Sequence, residues 1–385
     1  MSKKNVLITG GAGFIGLALT RLLLRAGHEV TILDNFSPQI HTTDTLPTEI
    51  ASAVTLVRGD VRDAAAVRDA VRGKHCIVHL AAETGTGQSM YCIDHYFDVN
   101  VQATAALLDT LQNSDAGDAL ETIIVASSRA IYGEGAYTCS AHGIVYPAAR
   151  TAERMTAGLF DPTCPICDAP VELAPTGENA PFSPSSFYGL TKQVQEQAVL
   201  LFARTRGLNG FALRYQNVYG PGQSLQNPYT GILAVFSNLA RQQQKIEIYE
   251  DGLESRDFVF IDDIAAVTAQ CVDHATPFVG ALNVGSGVGT DVMTVARRTA
   301  EFFGSEAPIE VTGAFRLGDI RHNVADVDLL ERTLGVRPSV SFAEGINAFL
   351  SWAEGQEAHD KDAYDRSVAE LRAHDLLGSS RQQAG

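Results

Sequence analysis

Residues 5–16 read NVLITGGAGFIG, an apolar run followed directly by a glycine-rich turn. Asn5–Thr9 has the composition of a buried strand, and residues 14–26 have the apolar spacing of an amphipathic helix. The turn satisfies both G-x-G-x-x-G and G-x-x-G-x-x-G, through Gly10, Gly11, Gly13 and Gly16. Glycines in this setting let the backbone approach a pyrophosphate, which binds the free N–H groups at the start of the helix. The stretch therefore predicts a dinucleotide-binding unit.

Two acidic residues follow the next predicted strands. Asp34 lies at the end of the second predicted strand, directly after residues 29–33. A carboxylate in that position accepts hydrogen bonds from the adenosine ribose hydroxyls and repels a 2′-phosphate, which favours NAD over NADP. The alternative for Asp34 is a solvated turn residue. Asp60, in RGDVRD after the third strand, is placed to reach the adenine edge, to cap the next helix, or both.

Short β-branched runs alternate with helical stretches along the first half of the chain. We predict strands at 5–9, 29–33, 54–57, 76–80, 122–126 and 210–214, and helices at 14–26, 64–71, 96–111 and 186–206. This order predicts right-handed βαβ crossovers and an α/β fold, a Rossmann doubly wound parallel sheet with a smaller C-terminal substrate lobe.

Composition suggests where the chain divides. The predicted units are a Rossmann lobe at 1–214 to which 255–282 returns, a cysteine-containing insertion at 134–184, a substrate lobe at 215–254 and 283–354, and a polar tail at 355–385. An insertion of this length inside a compact domain is usually functional or self-supporting. The tail carries one predicted helix, at 363–377, and is expected to lie outside the core.

The charge balance excludes some partners. The 385 residues include 29 Lys and Arg against 45 Asp and Glu, a formal net charge of −16. Such a chain repels nucleic acid and anionic lipid, although local arginines still allow a small anionic ligand. We find no apolar run near the roughly 20 residues of a membrane span, no signal peptide and no disulfide framework, and we expect a cytoplasmic protein.

Residues 188–192 read YGLTK, which places Tyr188 and Lys192 one helical turn apart on the same face of a predicted helix. The fifth predicted strand is followed by Ser127 and Ser128, whose hydroxyls could share the same cleft. A phenol has a pKa of about 10 and is a poor base at neutral pH, but a neighbouring ammonium and a positive nicotinamide favour its phenolate. Tyr188 could then take a proton from an alcohol while hydride leaves the same carbon for NAD. Ser128 would hold the substrate oxygen, and Lys192 would also bind the nicotinamide ribose.

The insertion carries two short chelating pairs, Cys139-x2-His142 and Cys164-x2-Cys167. Two such pairs joined by a loop are typical of a structural zinc ribbon, and three cysteines with one histidine form an accepted tetrahedral set. The alternative is three free thiols and a surface histidine. The other cysteines, Cys76, Cys92 and Cys271, lie in apolar elements and are expected in the core.

Taken together, these motifs resemble the extended short-chain dehydrogenase/reductase family, in particular its nucleotide-sugar epimerases and dehydratases. The resemblance runs through TGGAGFIG (9–16), GDVRD (59–63), HLAA (79–82), SSRAIYG (127–133), YGLTK (188–192), LRYQNVYGPGQ (213–223), RDFVFIDDIA (256–265), NVGSG (283–287) and RLGDIRH (316–322). The strings SSRAIYGEG and GQSLQNPYTGILAVFSNLA are most similar to those of dTDP-L-rhamnose 4-epimerases and related 6-deoxysugar epimerases.

The resemblance implies roles residue by residue. The implied catalytic group is Ser128, Tyr188 and Lys192. The implied NAD contacts are Gly10, Gly13, Phe14, Ile15, Asp34, Asn35, Asp60, Val61, Leu80, Ala81, Ala82, Asn100, Tyr188 and Lys192. The implied contacts to the nucleotide diphosphate and nucleoside are Asn217, Arg256, Arg316 and Asp319. It also implies a homodimer, commonly through a four-helix bundle formed by 96–111 and 186–206, and cysteine where this chain has His142.

The implied activity is 4-epimerisation of a nucleotide sugar through a transient 4-keto sugar. In the 4,6-dehydratases of the family an acidic residue follows the catalytic serine or threonine, whereas Arg129 and Ala130 follow Ser128 here. A 4-ketoreductase would share every motif but consume reduced cofactor. A non-catalytic redox-sensing or scaffold protein is disfavoured because such proteins usually lack the tyrosine–lysine pair.

Overall fold

We analysed a computed structural model of the chain, which describes residues 3–41, 43–227, 229, 231–357 and 362–380. The strands are β1 Asn5–Thr9, β2 Glu29–Asp34, β3 Thr55–Arg58, β4 Cys76–His79, β5 Thr122–Ser128, β6 Tyr137–Cys139, β7 Gly143–Val145, β8 Glu172–Leu173, β9 Asn209–Tyr215, β10 Asn217–Tyr219, β11 Ile246–Ile248, β12 Ser255–Phe260, β13 Val279–Val284, β14 Gly289–Asp291, β15 Ile309–Val311, β16 Ala314–Arg316, β17 His322–Asn323 and β18 Leu377–Ser379. The helices are α1 Phe14–Arg25, α2 Thr48–Ala51, α3 Ala64–Val71, α4 Thr86–Ser89, α5 Ile93–Tyr96, α6 Ala103–Asn113, α7 Ala152–Thr156, α8 Phe187–Arg206, α9 Ile232–Arg241, α10 Ile261–Asp273, α11 Val292–Phe302, α12 Asp328–Leu334, α13 Phe342–Glu354 and α14 Asp362–Ala373. Within the described ranges, no helix is long and apolar enough to cross a membrane.

Seven strands form the central sheet, in the order β13-β9-β5-β4-β1-β2-β3. Every neighbouring pair is parallel. Helices cover both faces, so the strands are apolar on both sides, and Val6, Leu7 and Ile8 of β1 have no exposed surface. The predicted doubly wound Rossmann sheet is confirmed, and β13 adds an edge strand from the second half of the chain.

The helix predicted at 96–111 is interrupted. A π-helical segment, Phe97–Gln102, separates α5 from α6. Within it the Asn100 side chain donates to the Glu83 carbonyl at 3.1 Å and to Thr191 Oγ1 at 3.0 Å. Apolar spacing does not distinguish one widened turn from a regular α-helix, which explains the difference.

A second lobe packs beside the sheet. Its core joins α9, α11 and α13 to the small sheet of β10, β12, β14 and β17, and Tyr219 packs edge-on against Phe258 and Phe260. The cleft between this lobe and the carboxyl ends of the central strands is the usual position for a ligand in a doubly wound fold.

The insertion forms a three-stranded antiparallel sheet, β7-β6-β8, and is joined to the second lobe by the ion pairs of two arginines with buried side chains. Arg150 lies between Glu134 at 3.0 Å and Glu250 at 2.7 Å. Arg321 has 1% of its surface exposed and contacts Glu250 at 3.1 Å and Asp161 at 2.7 Å. The insertion is therefore fixed to the segment that follows β16.

The expectation that the tail lies outside the core is wrong for residues 362–380. Helix α14 ends at Ala373, and β18 then pairs antiparallel with β16. Leu371 is buried. A strand added through backbone hydrogen bonds needs few apolar side chains, so the polar composition did not reveal it.

Helix α8 is held to β5 by two buried side chains on one face. Lys192 Nζ donates to the Ala126 carbonyl at 3.0 Å. One turn later, Glu196 accepts a hydrogen bond from Ser127 Oγ at 2.6 Å and forms a two-pronged ion pair with Arg214 of β9, at 2.5 and 3.0 Å. These contacts set the position of the helix against the carboxyl end of β5.

We predict that Glu196→Gln lowers the free energy of unfolding by about 3 kcal/mol, because it leaves the buried Arg214 guanidinium without its counter-charge. The measurement is urea denaturation followed by circular dichroism. Glu49→Gln is the matched control, because its partner Arg21 is exposed and the pair lies at the surface. Equal denaturation midpoints for the two variants would contradict the prediction.

Candidate active site

One cavity of about 540 Å³ lies at the carboxyl ends of the central strands and reaches into the second lobe. Its walls include these predicted cofactor residues: Gly10, Gly13, Phe14, Ile15, Asp34, Asn35, Asp60, Val61, Leu80, Ala81 and Ala82. They also include Ser128, Tyr188 and Lys192, and the predicted substrate residues Asn217, Arg256, Arg316 and Asp319. Asn100 is the exception among the predicted residues: it is fully buried and is not part of the cavity wall.

The glycine turn between β1 and α1 fits a dinucleotide. Gly10 has φ +66°, and a Cβ on it would lie 2.8 Å from the Ala81 backbone nitrogen. A Cβ on Gly16 would lie 2.6 Å from Gly11 Cα, so this glycine allows α1 to start tightly against the turn. Gly13 precedes the first residue of α1 and has no side chain to cap it. The helix therefore presents free N–H groups and its positive dipole end to the cavity.

Asp34 is buried at the end of β2, not solvated. Its Oδ2 accepts a hydrogen bond from the Ala12 backbone at 3.0 Å, and its Oδ1 accepts one from the Phe36 backbone at 2.9 Å. The carboxylate thus links the glycine turn to the loop after β2 while facing the cavity. His41 Nε2 lies 3.3 Å from Oδ1.

Asp60 also faces the cavity, but it has protein partners of its own. It accepts hydrogen bonds from Arg62 Nε at 2.9 Å and from Asn35 Nδ2 at 2.9 Å. The hydrogen bonds from Arg62 hold the pKa of Asp60 well below its usual range. Asp63, and not Asp60, caps α3.

Ser128, Tyr188 and Lys192 come together between the two halves of the cavity. Ser128 is the last residue of β5, two residues beyond the predicted end of that strand. Ser186 caps α8, so Tyr188 lies in its first turn and lines the cavity together with Ser128. Lys192 Nζ lies 6.0 Å from the centre of the Tyr188 ring.

Burial governs the ionisation of this group. It lowers the pKa of Lys192 to about 7. It raises the pKa of Tyr188, while the Ser128 side chain and the charge of Arg129 act in the opposite direction. Burial, with a contribution from the charge of Arg256, lowers the pKa of Arg129 to about 10. Arg129 is thus a cation beside the Tyr188 phenol. Sequence reasoning did not place Arg129 in the site.

The other half of the cavity is rich in arginine. Arg256 Nη2 donates to Asp319 Oδ1 at 2.9 Å, which fixes the guanidinium at the cavity wall. The Arg316 guanidinium lies over the Tyr249 ring, 4.8 Å from its centre, and its Nε is buried without a hydrogen-bond partner among the described residues. Guanidinium groups suit phosphate oxygens, so this half can hold an anion despite the negative charge of the chain.

Sequence reasoning missed several cavity residues. The walls also contain Arg129, Tyr229, Tyr249, Glu250, Glu254, Tyr364, Ser367 and Leu371. Tyr249, Glu250 and Glu254 directly precede the RDF motif and could have been included by position. Tyr364, Ser367 and Leu371 lie far along the chain in a polar segment, and no sequence motif pointed to them.

The four predicted metal ligands form one cluster, with all their ligand atoms within 4.8 Å of one another. His142 Nδ1 lies 3.5 Å from both Cys139 Sγ and Cys164 Sγ, and the sulfurs of Cys139 and Cys167 are 3.8 Å apart. A tetrahedron with Zn–S of about 2.3 Å and Zn–N of about 2.0 Å has S–S edges of about 3.8 Å and S–N edges of about 3.5 Å. The three separations match these edges, and the donor types are ones that zinc accepts.

The fold and the cavity define an extended short-chain dehydrogenase/reductase: a doubly wound parallel sheet, a glycine turn at the first strand, and a tyrosine–lysine pair beside the end of β5. The profile of the NAD dependent epimerase/dehydratase family matches residues 6–153 and 156–285. The chain belongs to that family, and the resemblance seen in its sequence is confirmed.

Several known proteins are similar over most of the chain. The dTDP-L-rhamnose 4-epimerase of Burkholderia thailandensis is 39% identical over 352 residues, 91% of this chain and 94% of the relative. The UDP-glucose 4-epimerase of Thermus thermophilus, solved with NAD, has a TM-score of 0.72 at 26% identity and covers 92% of this chain and 100% of its own. The UDP-N-acetylglucosamine 4-epimerase of Methanobrevibacter ruminantium, solved with UDP-N-acetylmuramic acid, has a TM-score of 0.74 at 26% identity, with coverages of 93% and 100%.

Proposed function

We propose that this protein is an NAD-dependent nucleotide-sugar 4-epimerase acting on a dTDP- or UDP-linked hexose, with a 6-deoxyhexose as the first candidate. One observation carries the proposal: Ser128, Tyr188 and Lys192 line the same cavity as the glycine turn on one side and Arg256 on the other. The similarity to a dTDP-L-rhamnose 4-epimerase supports the choice of base and sugar.

Each residue has a chemical task in this proposal. NAD, held by the glycine turn and Asp34, would accept a hydride from C4 of the sugar and return it. Tyr188 takes the proton of the C4 hydroxyl and gives it back, and Ser128 holds the same oxygen. Lys192 orients the nicotinamide ribose. Arg256 and Arg316 bind the diphosphate, which leaves the sugar free to present either face of its 4-keto form.

The position after Ser128 argues against dehydration. Arg129, a cation, lines the cavity where the related dehydratases have an acid, so the group that would move protons for loss of water is absent from that position. In an epimerase a cation there is useful, because it favours the Tyr188 phenolate.

We also propose that Cys139, His142, Cys164 and Cys167 hold a structural Zn²⁺. Four protein ligands close the coordination sphere and leave no position for substrate. The metal would keep the insertion folded, since its own apolar cluster is small.

A homodimer through α6 and α8 completes the proposal. Leu201, a large apolar side chain, is 59% exposed. It lies on the face of α8 opposite the proposed catalytic pair. The family resemblance implies the same pairing of helices.

The activity is tested by incubating the protein with a panel of dTDP- and UDP-sugars and no added cofactor. We predict a product of unchanged mass and altered retention, and no product from Tyr188→Phe, which should keep its bound NAD. Loss of water would instead establish a dehydratase. A reaction that starts only with added NADH or NADPH would establish a ketoreductase, and full turnover by Tyr188→Phe would overturn the proposed mechanism.

Arg129→Met should move the acidic limb of the kcat/KM pH profile to higher pH. The pKa of Tyr188 is already raised by burial, and removal of a nearby cation raises it further, so less phenolate is present at a given pH. Arg332→Met, at an exposed position of α12, is the matched control. Superimposable profiles for the two variants would rule out this role of Arg129.

For the metal, elemental analysis of protein purified without chelator should find about one zinc per chain. Cys167→Ser should lose most of that zinc and make residues 134–184 susceptible to protease, because the donor set is broken. Cys92→Ser, which alters a cysteine outside the cluster, should keep it. Zinc-free wild-type protein would refute the site.

A further inference from the structure

The C-terminal segment 362–379, comprising α14 and β18, reaches the active-site cavity. Tyr364, Ser367 and Leu371 lie at positions i, i+3 and i+7 of α14, on one face of the helix, and all three line the cavity. Ser367 and Leu371 are each 5% exposed. The apolar and small polar face of an otherwise charged helix is thus turned toward the substrate half of the cleft.

The segment is fixed at its end by backbone pairing. In the pairing of β18 with β16, Leu377 lies opposite Arg316, the residue proposed to bind the diphosphate. Two further backbone hydrogen bonds, from Leu317 to the Leu376 carbonyl at 2.9 Å and from Ser380 to the Gly313 carbonyl at 3.0 Å, bracket this pairing. The tail therefore holds the strand that carries Arg316.

In its middle, the segment connects the two lobes across the cavity. The Glu370 carboxylate accepts hydrogen bonds from Tyr91 Oη of the Rossmann lobe and from Tyr229 Oη of the substrate lobe, each at 2.7 Å. These hydrogen bonds lower the pKa of Glu370, so the carboxylate stays ionised near neutral pH. His374 stacks on the Tyr91 ring, with centres 4.8 Å apart and planes inclined by 6°.

At the cavity end of α14, Tyr364 lines the same part of the cavity as Arg316 and Tyr249. The Arg316 guanidinium lies over the Tyr249 ring, 4.8 Å from its centre, and both residues act electrostatically on the Tyr364 hydroxyl. The buried Arg316 Nε lacks a partner among the described residues, which indicates that this corner is completed by a ligand. Two aromatic rings beside a guanidinium suit a base and its phosphates.

We propose that segment 362–379 is part of the substrate site and that Tyr364 contacts the nucleoside diphosphate portion of the substrate. Glu370 acts as a positioning residue, because it holds α14 across the cleft without touching the ligand. The inference rests on the proposed nucleotide-sugar substrate. It assigns substrate binding to a part of the chain that lies outside the matched family profile, which ends at residue 285.

The test uses the full-length enzyme with Tyr364→Ala, Tyr364→Phe, Glu370→Gln and, as matched control, Glu357→Gln at an exposed position before α14. Calorimetry gives the Kd for UDP and dTDP, steady-state kinetics give KM and kcat, and released NAD is counted. Tyr364→Ala should raise Kd and KM about tenfold, the effect of losing one good contact, with kcat and NAD content unchanged. Tyr364→Phe should recover part of the loss through its ring, Glu370→Gln should raise KM less than Tyr364→Ala does, and Glu357→Gln should match wild type.

Unchanged Kd and KM in Tyr364→Ala and Glu370→Gln would overturn the inference, and if Tyr364→Ala fails to fold, Glu370→Gln decides alone. Loss of NAD together with substrate affinity would also overturn it, because the tail would then support the whole fold. Failure of the proposed function looks different. In that case the wild-type protein binds UDP or dTDP, and Tyr364→Ala weakens that binding, but no sugar nucleotide is epimerised.

Discussion

The attachment of α8 to the end of β5 is the constraint on which the site depends. Lys192 is held by the Ala126 carbonyl and Glu196 by Ser127 and Arg214, so two successive turns of the helix are fixed against one strand end. Tyr188 lies one turn before Lys192 on the same face, and the same contacts therefore hold it in the cavity wall that Ser128 also lines. The buried ion pair is costly to desolvate, and we interpret it as a device for register between helix and sheet.

The two ends of the cavity differ in their local charge, and the net charge of the chain does not reveal this difference. The proposed cofactor end is formed by glycine backbone, a helix N-terminus and Asp34, which suit a pyrophosphate and a free ribose. The substrate end concentrates Arg129, Arg256 and Arg316 in a molecule of net charge −16. Because low-dielectric walls strengthen local fields, three guanidinium groups there can attract an anionic ligand against the overall repulsion.

The sequence predicted what local patterns encode. The strand, glycine turn and helix at 5–25 depend on neighbours in the chain, and so does the tyrosine–lysine spacing on α8. It did not predict the π-helical turn before α6, whose side-chain partners Glu83 and Thr191 come from elsewhere in the chain. Nor did it predict β18, since strand addition uses backbone groups that every residue carries. Nor did it place Tyr364 in the cavity, because the residues that line the same corner, Arg316 and Tyr249, are distant in sequence.

The insertion and the C-terminal segment 362–379 both contact the same part of the second lobe, the segment from β16 to β17. From the insertion, Arg150 donates to the Asp319 carbonyl at 3.2 Å and Glu134 accepts from the Arg321 backbone at 2.8 Å. From the tail, β18 pairs with β16. This segment carries both Arg316 and Asp319. Under the proposed function, the insertion and the tail therefore act on the substrate end of the cavity. We expect their alteration to change the choice of sugar nucleotide while the glycine turn and Asp34, on β1 and β2, keep their geometry.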